Sequence, residues 1–172
     1  SFATLGYVAN WNQILSDSSY FDQFAAPSAL RHTWSLAIEE QFYLVWPLVV
    51  LGVLKWRRGS HRALFITCAV LATASTIWMA VLYEPGRDPS RVYYGTDTRA
   101  QSLLIGAMLA VLVTHFGGLD ARRWRTALHG AALVALGLLL SMWITTDEGD
   151  GWQFLGGYAL AAVLVTVVIA SV

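Results

Sequence analysis

Five apolar stretches divide the chain, at roughly 36 to 54, 63 to 83, 100 to 116, 127 to 146 and 153 to 172, with short polar segments between them. Each is close to the ~20 residues that a helix needs to cross ~30 Å of hydrocarbon. The stretches are continuous rather than alternating, which favours helices over barrel strands, and those two structures alone satisfy a backbone in lipid. The pattern therefore predicts an all-α polytopic transmembrane bundle. The opening "SFATLGYVANW" reads as the tail of a further helix, so about five to six membrane helices are expected. Composition agrees: 56% of the 172 residues are hydrophobic and 13% charged, about half the charged share of a soluble domain. There is no initial Met, no charged signal-peptide start, and the last apolar run reaches Val172, so the chain reads as a fragment.

The polar segments carry an orientation signal. "KWRRGSHR" holds Lys55, Arg57, Arg58 and Arg62 and no acid. "EPGRDPSRVYYGTDTR" sets Glu84, Asp88 and Asp97 against Arg87, Arg91 and Arg99. "FGGLDARRWR" is basic again through Arg122, Arg123 and Arg125, and "DEGDGW" has three acids and no base. By the positive-inside rule the two basic loops, 55–62 and 117–126, are expected in the cytoplasm and residues 12–35, 84–99 and 147–152 outside it. Trp56 and Trp124 then fall at the inner boundary, and Trp34, Tyr83 and Trp152 at the outer one, where aromatic belts form. The basic loops suit lipid headgroups, or else an anionic cytosolic ligand. A net charge of zero argues against nucleic acid as a partner.

One segment pays for its position in the bilayer. "HTWSLAIEEQFY" places Glu39 and Glu40 at the mouth of the first long apolar run, where an acid costs up to ~2.5 to 3.5 kcal/mol, less near the interface. At about 100° per residue His32, Ser35 and Glu39 share a stripe continued by Phe42 and Trp46, while Glu40 lies on the next stripe with Thr33, Leu36 and Tyr43. A helix dipole recovers only ~0.3 to 1 kcal/mol per acid in the first turns. The remainder points to a polar site within the bundle. Pro47 lies inside the same span and is expected to kink it near residues 43 to 47.

A second polar patch, "VYYGTDTRAQSLLIGAMLA", opens the third run. Gly95 reads as a turn, with Thr96, Asp97 or Thr98 as N-cap. Arg99 stands on the expected outer side, where topology does not ask for a cation. An ion pair with Glu39 or Glu40 across the bundle explains both, since at about 4 Å and a dielectric of about 20 it attracts by ~4 kcal/mol before desolvation. The two segments are therefore expected to meet at one outward-facing site. The remaining side chains with chemistry offer less. His61, His115 and His129 lack partners at metal-ligand spacing, no metal site is expected, Cys68 reads as a small packing residue, and no nucleophile-elbow or phosphate-loop motif is present.

Together, "HTWSLAIEEQFYLVWPL" and "VYYGTDTRAQSLLIGAMLA" resemble the membrane acyltransferase-3 family, and "YVANWNQILSDSSYFDQFAAPSALRHTWSL" is similar to its extracytoplasmic stretch. The likeness covers most of residues 1 to 116. It implies that residues 1–172 are part of a transmembrane domain that transfers an acyl group, usually acetyl, from cytosolic acetyl-CoA or another acyl-CoA to a hydroxyl of an exported glycan such as lipopolysaccharide O-antigen or peptidoglycan. No bound cofactor is implied. By resemblance, the motif residues are Ser35, Leu36, Glu39, Glu40, Phe42 and Tyr43, with Thr96, Thr98 and Arg99. The family's proposed catalytic histidine belongs to helices upstream of Ser1, so its role does not pass to His32. Within this frame the candidate catalytic set is Glu39, Glu40, Ser35 and His32, with Glu39 as base or orienting carboxylate. The candidate substrate-binding set is Tyr43, Tyr94, Thr96, Thr98 and Arg99.

Two other readings remain open from sequence. The carboxylates and the Pro47 hinge suit a proton-coupled transporter or flippase of a lipid-linked sugar. Small residues such as Ala131 and Ala135 suit a non-catalytic membrane scaffold.

Overall fold

The computed structural model describes residues 9–15, 33–115, 121–147 and 150–172. His32 lies outside the described residues, as do large parts of the expected segments 12–35 and 117–126. Among the described residues all regular structure is helical: α1 (Ala9–Leu15), α2 (Thr33–Trp56), α3 (His61–Leu82), α4 (Ser90–Tyr94), α5 (Thr96–His115), α6 (Ala121–Thr145) and α7 (Gly157–Ala170). A 3-10 turn, Gly151–Gln153, precedes α7. The all-α membrane bundle is what the apolar pattern predicts.

Among the described residues four helices are long and apolar enough to cross a membrane: Trp34–Trp56, His61–Leu82, Thr96–His115 and Thr126–Thr145. The fifth apolar run forms a helix of only 14 residues, about 21 Å long at 1.5 Å per residue. Its first part is spent on the 3-10 turn and on Gly156, whose φ of 131° no side-chain-bearing residue adopts readily. Pro47 sits on an exposed face inside α2, which continues through it to Trp56.

Helix ends are set by local chemistry. Arg58 (φ 50°) and Gly59 (φ 80°) turn the chain out of α2, and the Gly59 N–H donates to the Leu54 carbonyl at 2.7 Å, a Schellman closure. Ser60 then caps α3, accepting from the Ala63 N–H at 3.2 Å. So short a connection returns α3 alongside α2.

The closest-packed pair is α3 with α5. Leu64, Cys68, Ala72, Ser75 and Met79 form the buried stripe of α3, and Thr98, Gln101, Leu104 and Val111 that of α5. Small residues at the middle of the α3 stripe let the backbones approach, which is how helices associate where lipid supplies no hydrophobic drive. Cys68 is one of these, free and fully buried. The pair is antiparallel: Ser75 and Trp78 of α3 reach Asp97 at the start of α5, while His61 stacks on His115 at the other end, with ring centroids 3.9 Å apart. Helix α7 packs on both α5 and α6. Ala135 is buried in α6, whereas Ala131 is exposed. Leu133, Val134, Trp143 and Ile144 leave α6 with a broad outward apolar surface, as a lipid-facing helix requires.

The aromatic belt is only half as expected. Trp56 is 79% exposed and Trp152 exposed, but Trp34 is buried against Tyr94 and Ile38. It is a core residue because its helix position, one turn from Ala37 and Ile38, faces the bundle.

Candidate active site

Helices α2, α5 and α7 begin, and α3 ends, at one end of the bundle, with α1 and α4 beside them. There "HTWSLAIEEQFY" and "YYGTDTR" do meet. The join is a ring of polar side chains: Gln41 Nε2 donates to Asn10 Oδ1 at 3.0 Å, Asn10 Nδ2 donates to Thr96 Oγ1 at 2.8 Å, and Thr96 Oγ1 donates to Gln41 Oε1 at 2.7 Å. Asn10 spends its second amide hydrogen on the Tyr94 carbonyl at 3.1 Å and is fully buried. Each group of the ring is matched to one of opposite polarity, as burial demands.

Arg99 differs from expectation. It forms no ion pair with Glu39 or Glu40; among the described residues the ion pairs are Arg87 with Glu84 and Arg91 with Asp97. Its guanidinium lies instead over three aromatic rings, 4.2 Å from the centroid of Tyr158, 4.8 Å from Tyr93 and 5.7 Å from Trp34. Such contacts are worth ~0.5 to 2 kcal/mol each, more where water is excluded. They hold the cation without neutralising it. Its N–H donors make no hydrogen bond among the described residues, so they remain available to an anion or a developing oxyanion.

The physical reason that the carboxylates miss Arg99 is helical phase. Trp34, Ala37, Ile38 and Gln41 form the inward stripe of α2, and at about 100° per residue Glu39 and Glu40 project well away from it. Ser35, Leu36, Glu39 and Tyr43 are exposed, Tyr43 to 60%, and Glu40 is half-buried. The shared stripe of Phe42 and Trp46 is confirmed by their stacking at 5.3 Å.

The other candidates are support rather than surface. Tyr94 is 1% exposed and lies edge-on to Trp34 at 5.3 Å. Thr98 is fully buried and is not an N-cap acceptor: its hydroxyl donates toward the Val92 and Gly95 carbonyls, at 2.7 and 2.9 Å. The start of α5 is braced from outside by Asp97, which accepts from Arg91 through both oxygens at 3.1 and 2.8 Å and from Trp78 Nε1 at 2.8 Å. Gly95 makes room for this brace. A Cβ there would meet the Arg91 guanidinium, Asp97 Oδ1 at 2.6 Å and Thr98 Oγ1 at 2.7 Å.

Sequence reasoning passes over Asn10, Gln41, Trp34, Tyr93 and Tyr158. A usable signal exists for Gln41, seven residues after Trp34 and hence on the same face. None exists for Tyr158, which stands in an apolar run of ordinary composition. Among the described residues no three His, Cys, Asp or Glu side chains form a cluster able to hold a metal.

No protein-family model matches the chain, and no solved structure does. Curated relatives do. Peptidoglycan O-acetyltransferase OatA of Listeria monocytogenes is 41% identical over 175 residues, which takes in 100% of this chain and 28% of that protein. The chain is homologous to these O-acetyltransferases. O-acetyltransferase OatA of Staphylococcus aureus is 34% identical over 172 residues, 99% of this chain and again 28% of the relative. The chain thus spans little more than a quarter of the length of the curated relatives it matches. The homology is consistent with the acyltransferase-3 type that the motifs resemble, and with four apolar helices it makes this a membrane protein.

Proposed function

We propose that this chain is part of an integral membrane O-acyltransferase that moves an acyl group, acetyl in the simplest case, from a cytosolic acyl-CoA to a hydroxyl of an extracytoplasmic glycan, with peptidoglycan first among the acceptors. The observation that carries this reading is homology, along the whole of this chain and about a quarter of the relatives' length, to proteins named for peptidoglycan O-acetylation. The fastened motif segments supply it with a site.

In the transfer step the acceptor oxygen forms a bond to the acyl carbon of a thioester or acyl-enzyme, the bond from that carbon to its carrier breaks with the electron pair leaving on the carrier, and the hydroxyl proton passes to a base. Arg99, held over Tyr93, Tyr158 and Trp34 and paired with no carboxylate among the described residues, stabilises the negative charge that develops on the carbonyl oxygen or fixes an acceptor group. Glu39, exposed with Ser35 and Tyr43 on the face of α2 turned away from Arg99, does not meet the reacting carbonyl itself and in this reading orients the group that takes the proton. Glu40 supports it. Thr96 and Thr98 hold the start of α5, and through it Arg99, in place. The polarity pattern supports an outward-facing site: the basic, acid-free segment 55–62 lies at the opposite end.

The test is to load vesicles containing the intact protein with labelled acetyl-CoA and to present peptidoglycan fragments outside. Label should appear as an alkali-labile ester on the external glycan. Movement of a lipid-linked sugar without ester formation would identify a transporter instead and overturn this reading.

A further inference from the structure

At the end of the bundle remote from Arg99, the last turns of α2 and the first turns of α3 line an open cavity of about 480 Å³. Val53, Ala63 and Ile66 give it an apolar wall, and Arg57, Arg62 and Ser60 a polar rim. Trp56 also lines it, with the Arg57 guanidinium 4.8 Å from its ring centroid.

Three features bear on the occupant. First, neither arginine has an acidic partner among the described residues, where the ion pairs stand at residues 84 to 97, and the segment from Lys55 to Arg62 has no acid at all. Two cations facing one cavity without neutralisation select an anion. Second, the cavity opens over the N-terminus of α3, whose dipole adds to the same sign. Third, the apolar wall runs on into the outward face of α3: Ile66 is 50% and Val70 60% exposed. A ligand whose anionic head is joined to an acyl chain fits that succession of charge, aromatic ring and hydrocarbon; a fully water-soluble anion uses only its rim.

We propose that this cavity is a binding site for the phosphate headgroup of an anionic phospholipid, with Arg57 and Arg62 on the phosphate, Trp56 at the glycerol level and an acyl chain along Val53 and Ile66. The lipid ties the α2–α3 turn to the membrane surface. This site does not depend on the acyl-transfer reading.

The experiment measures lipid retained by the intact protein after extraction from vesicles of phosphatidylglycerol in phosphatidylcholine, by native mass spectrometry and by quenching of Trp fluorescence with brominated phosphatidylglycerol. Each arginine near a membrane surface is worth roughly a fivefold change in lipid binding. The double variant Arg57→Gln/Arg62→Gln should therefore lose phosphatidylglycerol preference by about twentyfold or more. Lys55→Gln, which removes one charge from the same turn but not from the cavity lining, should lose much less than either single arginine variant. Ser60 and the Schellman turn are untouched in these variants, and an unchanged circular dichroism spectrum confirms the fold. Equal losses for Lys55 and the arginines would reduce the effect to bulk charge and overturn the proposal. Displacement of the lipid by millimolar inorganic phosphate or coenzyme A would overturn it in favour of a soluble phosphate ligand.

Discussion

Gln41 is the residue on which the meeting of the two motif segments should turn. In Gln41→Ala the 3.0 Å bond to Asn10 and the 2.7 Å bond from Thr96 are both lost. Asn10 Oδ1 and the Thr96 hydroxyl then face a site from which water is largely excluded. Orphaned buried groups cost ~1 to 3 kcal/mol each in soluble proteins, whereas interhelical hydrogen bonds in membrane proteins average only ~0.6 kcal/mol because the reference state finds partners. With two groups affected, Gln41→Ala should destabilise by about 1 to 3 kcal/mol. Thr96→Val removes an overlapping set, so the double variant should fall short of additivity by about 0.5 to 1.5 kcal/mol. Reversible unfolding of the intact protein in mixed micelles, followed by circular dichroism, measures all three. The parallel cycle of Glu39→Gln with Arg99→Gln should show coupling below about 0.3 kcal/mol, since no contact joins the pair. Additivity in the first cycle, or strong coupling in the second, would refute the geometry.

Other predictions follow from single positions. Glu39→Gln should lower acyl transfer by about 10²-fold or more while stability shifts by less than about 0.5 kcal/mol, because the side chain is exposed and unpaired among the described residues; a parallel fall in both would favour the scaffold reading. Gly95→Ala should force open the Arg91–Asp97 brace and cost about 1 to 3 kcal/mol, read as a lowered unfolding midpoint, and Asp97→Asn in the same background should add less than it does alone. Arg58→Gly should raise stability by up to about 1 kcal/mol, since φ is 50° there and the side chain does not line the cavity.

The helices were legible because lipid imposes one rule on every residue of a span: apolar side chains and a closed backbone. The starts at Thr33 and Thr96 were readable for the same reason, as polarity changes abruptly there. The ion pair was misjudged because cost alone locates a charge without giving its direction. Glu39 and Glu40 point away from the stripe of Trp34, Ala37, Ile38 and Gln41, and the bundle buries that stripe. Arg99 likewise satisfies itself through ring faces, an option that balancing opposite charges overlooks. Asn10 and Tyr158 lie 31 residues before and 117 after Gln41 respectively, and only tertiary packing brings either one to the site; Asn10 is joined to Gln41 directly, and Tyr158 reaches Arg99.

The central claim, that Arg99 is a cation kept un-neutralised for acyl transfer, is tested most directly by the transfer rate of Arg99→Gln in the intact protein, with labelled acetyl-CoA as donor and peptidoglycan as acceptor. Removal of a donor to a developing oxyanion costs roughly 10²- to 10³-fold, so the account predicts a loss in that range with the fold retained. A rate within threefold of the unaltered protein would contradict it.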